Sequence, residues 1–151
     1  MDFITDVFQN RIFVSAALGW LIAQVLKTLI HFIINKKFLM ERMVGSGGMP
    51  SSHSSTVCAM AAAAGMEYGG GSFEFAVTVM LAIIVMYDAM GVRRETGKQG
   101  RVLNEMLEIF LNMGNEISPE AKLKELVGHT PLQVLMGAIL GIIIAVAING
   151  I

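Results

Sequence analysis

Long apolar runs dominate the chain. Four of them, at roughly residues 12–34, 52–68, 73–92 and 131–149, approach the ~20 residues that a membrane-spanning helix needs. The last run contains no charged residue, whereas the second is short and rich in alanine and serine. Small residues let helix backbones approach closely, and we expect this to sustain the second run as a span. The pattern predicts an all-α, polytopic membrane helix bundle that forms one domain over residues 1–151.

The connection between the third and fourth spans, residues 93–130, has a different periodicity. From Val102 onwards apolar residues recur at helical spacing, and charged and amide side chains occupy the other side. This pattern predicts an amphipathic helix that lies on the membrane or on the protein. A second short helix is predicted from Ser118 to Gly128, because a serine followed by proline is typical of a helix start.

The basic residues indicate how the spans are oriented. All lysines and arginines except Arg11 and Lys27 lie in two connections, one after the first span and the other between the third and fourth spans. Cytoplasmic connections carry such an excess of positive charge. We therefore expect a multi-pass protein of the cell membrane with both basic connections in the cytoplasm and both termini outside. Arg11 is the one residue that argues against this orientation.

Composition supports the membrane assignment and excludes some alternatives. Of the 151 residues, 54% are hydrophobic and only 15% are charged, against about 25% charged in a typical soluble domain. A net charge of −1 gives no indication of a nucleic-acid partner. The single cysteine, Cys58, can form neither an intrachain disulfide nor a cysteine metal cluster.

The second and fourth spans both begin at the predicted cytoplasmic side, and each has a histidine there, His53 and His129. Thr130 and Pro131 are typical of a helix cap followed by a first-turn proline, and Pro50 is expected to serve the second span in the same way. Helix N-termini attract anions, phosphate in particular.

The stretch GSGGMPSSHSS, residues 45–55, precedes the second of these helix starts. Its glycines, Gly47 and Gly48 among them, would let backbone N–H groups form a concavity for an anion. The alternative is an ordinary flexible loop whose hydroxyls cap the next helix.

One face of the first span is polar. It carries Gln24, Lys27, Thr28, His31 and Asn35. A lysine near the centre of a bilayer costs about 2.5–3.5 kcal/mol, so such residues usually face the protein interior and have a function. The alternative is that Lys27 extends its side chain to the membrane surface.

The third span ends in MYDAMGVRRETGKQG, where Asp88 lies within about two helical turns of Arg93 and Arg94. We expect the arginines to hold a phosphate bidentately while Asp88 orients one of them or a histidine. The alternative is an ion pair that closes the helix end.

Together these patterns predict a membrane-embedded site for a phosphorylated ligand, facing the cytoplasm, and they support binding better than catalysis.

Four blocks of the sequence resemble a known family. GGMPSSHSS, MYDAMGVRRETGKQ, the pair LN at 103–104 and LKELVGHTP are similar to the divergent branch of the type-2 phosphatidic acid phosphatases, which are related to acid phosphatases and vanadium-dependent haloperoxidases. In the main family a histidine attacks phosphorus, a second histidine protonates the leaving alkoxide, and basic residues bind the phosphoryl oxygens. No metal or other cofactor takes part.

The resemblance implies specific roles for several residues. His129 would be the nucleophile, His53 the general acid and Ser51 a hydrogen-bond donor to phosphate, while Ser52 stands where the main family has glycine. Lys27 would replace the basic residues of the family's first block, which this chain does not match.

The last block departs from the family at two positions. Leu123, between Lys122 and Lys124, stands where the family has arginine, and Gln133 stands where an aspartate fixes the nucleophilic histidine. An amide can accept the Nδ1 proton but cannot stabilise the imidazolium as a carboxylate does. Asp88 or Glu125 would have to supply that charge.

We therefore expect a lipid phosphate or prenyl pyrophosphate phosphatase with a histidine nucleophile. One alternative is a non-catalytic lipid-phosphate binding or transport protein. Another is an assembly protein whose polar face joins helices, helped by close approach at Gly137 and Gly141, within the chain or between chains. The expected partners are a lipid phosphate and the surrounding membrane lipids. Four spans are few to enclose a site, which favours a homo-oligomer.

Overall fold

The computed structural model describes residues 2–36, 48–113 and 128–150. They form six helices and no β-strand, which confirms the all-α prediction. In chain order the helices are α1 (Phe3–Gln9), α2 (Arg11–Asn35), α3 (Ser52–Tyr68), α4 (Phe73–Met90), α5 (Val92–Asn112) and α6 (Pro131–Asn149).

Among the described residues, three helical stretches are long and apolar enough to cross a membrane: Arg11–Asn35, Phe73–Asn112, which comprises α4 and α5, and Pro131–Asn149. The second predicted span does form a helix, Ser52–Tyr68, but it does not reach this length and hydropathy on its own. Its 17 residues extend about 25 Å at helical rise, less than the ~30 Å of a bilayer core. That α3 crosses the membrane stays a prediction, which rests on the close packing of its small residues and not on its own length or hydropathy.

Helix α3 lies at the centre of the bundle, in contact with α2, α4 and α6. Ala59, Ala63 and Ala64 on this helix are fully buried. The neighbouring helices present glycines to it, since a Cβ added at Gly137 or Gly141 of α6 would overlap the backbone of α3. These two glycines therefore let α6 approach α3 within the chain. The sequence alone had left open whether they act within the chain or between chains.

The helix directions follow from contacts at the two ends of the bundle. At one end the Ser51 N–H donates to the Gln133 carbonyl oxygen over 3.0 Å. At the other end, Asn149 Nδ2 donates to Ser15 Oγ over 3.2 Å. Helices α3 and α6 therefore run parallel and begin at the same end, and α2 runs antiparallel to both.

Helix α5 begins ten residues earlier than the apolar stripe predicted, at Val92 rather than Val102, and only Gly91 separates it from α4. Among the described helices it contacts α4 alone. Met106 and Ile109 on the predicted stripe are exposed. The helix predicted from residue 118 to 128 lies outside the described residues, apart from Gly128 at its end.

Candidate functional site

The start of α3 is built by serine hydroxyls. Ser51 is the N-cap, and its Oγ accepts hydrogen bonds from the backbone N–H of Ser54 over 3.3 Å and from the Ser54 hydroxyl over 3.0 Å. The expectation that Pro50 occupies the first helical turn was wrong, because the cap at Ser51 starts the helix at Ser52. His53 is consequently the second residue of α3, at the end where backbone N–H groups point outward.

The start of α6 follows the prediction closely. Thr130 is the N-cap and Pro131 the first helical residue. The Thr130 hydroxyl accepts from the Gln133 N–H, and the Thr130 N–H donates to Gln133 Oε1 over 3.0 Å, which completes a capping box. His129 directly precedes this box, and its N–H donates to the Ala89 carbonyl oxygen over 3.1 Å. The end of α4 is thereby fixed beside His129.

The two histidines meet between these helix starts. Their ring centroids lie 6.2 Å apart with the ring planes at 63°. His129 is buried, 3% exposed, and its Nδ1 lies 3.3 Å from Gln133 Oε1. Because Oε1 is the acceptor for the Thr130 N–H, a hydrogen bond with His129 requires Nδ1 to carry the proton. A neutral His129 ring then has its lone pair on Nε2.

Helix α2 contributes a buried lysine at the level of the loop before α3. Only 3% of Lys27 is exposed, so its ammonium group does not extend to the surface as the alternative required. Gly48 has a positive φ of 93°, and a Cβ there would lie 3.0 Å from Lys27 Cγ. The glycine therefore lets the loop lie directly against the lysine stem.

The rest of the polar face of α2 divides into two groups. Thr28 Oγ1 donates to the Gln24 carbonyl oxygen and Asn35 Nδ2 to the His31 carbonyl oxygen, so these two polar groups bond to their own helix. Gln24, in contrast, is only 6% exposed. Gln24 was not among the site residues predicted from the sequence. Its position one turn before Lys27, on the same polar face, was the feature that could have indicated it.

The family described as the divergent PAP2 family matches residues 8–144. The chain belongs to the divergent PAP2 family. A relative from Bacillus subtilis (strain 168), named "Uncharacterized membrane protein YuiD", is 37% identical over 152 residues, which cover 95% of this chain and 96% of the relative. No solved structure matches the chain. These comparisons confirm the family that the sequence blocks indicated and agree with a membrane protein.

Within this divergent PAP2 chain, the other predicted site residues fall into three groups. Ser52 is buried at the first position of α3, and Asp88 is half-buried in the last turn of α4, adjacent to Ala89. Arg93 and Arg94 lie in the first turn of α5. Gly47 and Lys124 lie outside the described residues. The structure thus brings His53, His129, Ser51, Ser52, Lys27 and Gly48 to one end of the bundle.

Proposed function

We propose that this divergent PAP2 protein is a membrane phosphatase that hydrolyses lipid phosphate monoesters or prenyl pyrophosphates at the cytoplasmic face of the cell membrane. The observation that carries the proposal is the histidine pair, with ring centroids 6.2 Å apart and Nδ1 of His129 against Gln133 Oε1. One imidazole with an oriented lone pair and a second imidazole beside it can supply a nucleophile and a general acid at neutral pH.

In the proposed reaction the His129 Nε2 lone pair forms a bond to phosphorus as the bond from phosphorus to the leaving oxygen breaks. Protonated His53 gives its proton to that oxygen. His53, now neutral, removes a proton from water, which attacks phosphorus and breaks the N–P bond. The products are the lipid alcohol (or a shorter phosphate) and inorganic phosphate, and His129 is regenerated.

Phosphoryl transfer depends mainly on positioning and on charge stabilisation. The N-termini of α3 and α6 supply N–H groups and partial positive charge, and buried Lys27 supplies a full charge. Asp88 would stabilise the His129 imidazolium, since Gln133 is uncharged. The remaining groups proposed to bind the phosphoryl oxygens are Ser51, Ser52, Gly47, Gly48, Arg93, Arg94 and Lys124.

The test is phosphate release by the purified protein in nanodiscs, with metal ions chelated. The substrate panel contains phosphatidic acid, phosphatidylglycerophosphate and prenyl mono- and pyrophosphates. We expect His129→Ala to abolish release and His53→Ala to lower it by about 10²-fold or more, the usual contribution of a general acid. His31→Ala, a histidine on α2 outside the pair, is the matched control and should behave as the wild type. Equal release by all four proteins would contradict the proposal.

A second candidate function is lipid-phosphate binding or transport without turnover. Gln133 favours it, because an amide beside His129 Nδ1 lacks the charge that stabilises an imidazolium. This function predicts that lipid phosphates bind to the wild type and that no phosphate is released from any member of the panel.

A further inference from the structure

Gln24 carries a buried acceptor that the helix bundle leaves unused. The residue is 6% exposed, and its Oε1 accepts no hydrogen bond from any residue in the described ranges. The neighbouring hydroxyl of Thr28 bonds to the backbone carbonyl of Gln24 and not to its side chain. A buried acceptor without a donor costs stability and is rare in folded proteins, so the Gln24 side chain calls for a partner that the described part of the bundle does not supply.

The position of Gln24 follows from two contacts between α2 and the α3 region. Gly19 lies against Ser55 and Ala59 of α3, and Lys27 lies against Gly48 in the loop before it. Gln24 falls between these contacts on the antiparallel α2, about 7.5 Å along the axis from Gly19 at helical rise. It is therefore level with the N-terminus of α3, where the proposed phosphate site lies.

A phosphate dianion has only hydrogen-bond acceptors. The groups of the proposed site that would bind it are hydrogen-bond donors: backbone N–H groups, Lys27 and His53. The Gln24 Oε1 cannot pair with such oxygens. A ligand group that pairs with Oε1 would have to be a hydrogen-bond donor on another part of the same molecule. Among lipid phosphates that donor is a hydroxyl close to the phosphate, as in the glycerol headgroup of phosphatidylglycerophosphate. Prenyl phosphates and diacylated phosphatidic acid lack such a hydroxyl.

We propose that Gln24 is a specificity-determining residue whose Oε1 accepts a hydrogen bond from a ligand hydroxyl, so that the site prefers hydroxyl-bearing lipid phosphates. The inference rests on the proposed function for the phosphate itself and adds the substrate class. A site built to bond a hydroxyl discriminates strongly against an analogue without one, because its buried acceptor stays unpaired.

The experiment compares two ligands that differ by one hydroxyl. The probes are the non-hydrolysable phosphonate analogues of 1-oleoyl-glycerol-3-phosphate and of its 2-deoxy counterpart, and their dissociation constants are measured in nanodiscs. We expect the wild type to bind the hydroxylated analogue at least tenfold more tightly. Gln24→Met, close in size but without the acceptor, should reduce this preference to about twofold or less.

Gln24→Glu is the conservative variant. It keeps an acceptor oxygen, and its added negative charge weakens both phosphonates alike, so the ratio of the two dissociation constants should stay near the wild-type ratio. Without ligand, Gln24→Met should melt at or above the wild-type temperature, because an unsatisfied buried acceptor is removed. An unchanged ratio in Gln24→Met would overturn the inference, as would a lower melting temperature without a change in preference.

Binding is measured without turnover, so the two proposals fail in different ways. A hydroxyl preference that depends on Gln24, with no phosphate released from the corresponding esters, supports the role of Gln24 and overturns the phosphatase. Phosphate release accompanied by equal binding of both analogues overturns the role of Gln24 and leaves the phosphatase. No binding of either analogue overturns the inference.

Discussion

At the scale of single residues, Gln133 connects helix formation to the proposed chemistry. Its Oε1 accepts from the Thr130 N–H over 3.0 Å and lies 3.3 Å from His129 Nδ1. One side chain therefore caps α6 and selects the tautomer of the neighbouring imidazole. The sequence alone showed that an amide stands where an aspartate was expected and that it could accept the Nδ1 proton. The sequence indicated a cap at Thr130 followed by Pro131, but not that the Gln133 side chain completes the capping box.

Replacing Gln133 tests both tasks, because catalysis and stability are measured separately. Gln133→Met removes the acceptor, so we expect phosphate release to fall by about tenfold or more, and loss of the capping box to lower the free energy of unfolding by ~1 kcal/mol. Gln133→Glu keeps the acceptor and adds the carboxylate charge, so release should be at least that of the wild type. Steady-state kinetics and thermal melting measure both effects. Unchanged release in Gln133→Met would argue against a role in orienting His129.

Gly48 has a conformational and a steric reason to be glycine. Its φ of 93° is unfavourable for other residues, and a Cβ would lie 3.0 Å from Lys27 Cγ. We expect Gly48→Ala to cost about 1–2 kcal/mol in stability and to weaken the binding of lipid phosphates by shifting Lys27. Gly70→Ala, where an added Cβ meets no atom within 4 Å, is the control. Equal affinity in the two variants would show that the loop and Lys27 are not coupled.

At the scale of helices, the sequence predicted most accurately where a cap and an apolar run coincide. The bounds of α3 and α6 match the predicted 52–68 and 131–149. The start of α5 was missed by ten residues, because its first turns are polar and the apolar stripe begins only at Val102. The central position of α3 could not be read from its own residues, since it depends on glycines of α2 and α6 that are distant in the sequence.

Those glycines provide a test of the packing of α3. A Cβ at Gly141 would overlap the Ser55 carbonyl oxygen, which is backbone and cannot move away independently. We expect Gly141→Ala to destabilise the protein by about 1–3 kcal/mol, the usual range for overpacking. Ala147→Val, at an exposed position of the same helix, should have little effect. Thermal melting in detergent compares the two, and equal melting temperatures would contradict the packing described for α3 and α6.

At the scale of the whole molecule, the antiparallel course of α2 against α3 and α6 collects the site at one end of the bundle. His53 and His129, distant in the sequence, become neighbours because both helices start there. The distribution of basic residues in the sequence predicted that α3 and α6 begin at the same side of the membrane. The sequence also favoured an interior position for Lys27, and the burial of this residue agrees with that. The sequence could not predict the ring separation, which depends on how closely α3 is packed.

The proposed orientation places this end in the cytoplasm and the turn between α3 and α4 outside. With the buried native Cys58 replaced by alanine, a cysteine at Ser72 should react with a membrane-impermeant thiol reagent added to intact cells. A cysteine at Lys98 in α5 should react only after the cells are permeabilised. The reverse pattern would place the site on the outer face.

The central claim is that His129 takes the phosphoryl group. The most direct test is rapid quenching of the wild-type protein during turnover of a lipid phosphate labelled with ³²P, followed by mapping of the labelled peptide. We predict an acid-labile, base-stable label on the peptide that contains His129, and no label in His129→Asn. Phosphate release without any labelled protein intermediate would show that water attacks phosphorus directly and would contradict the account.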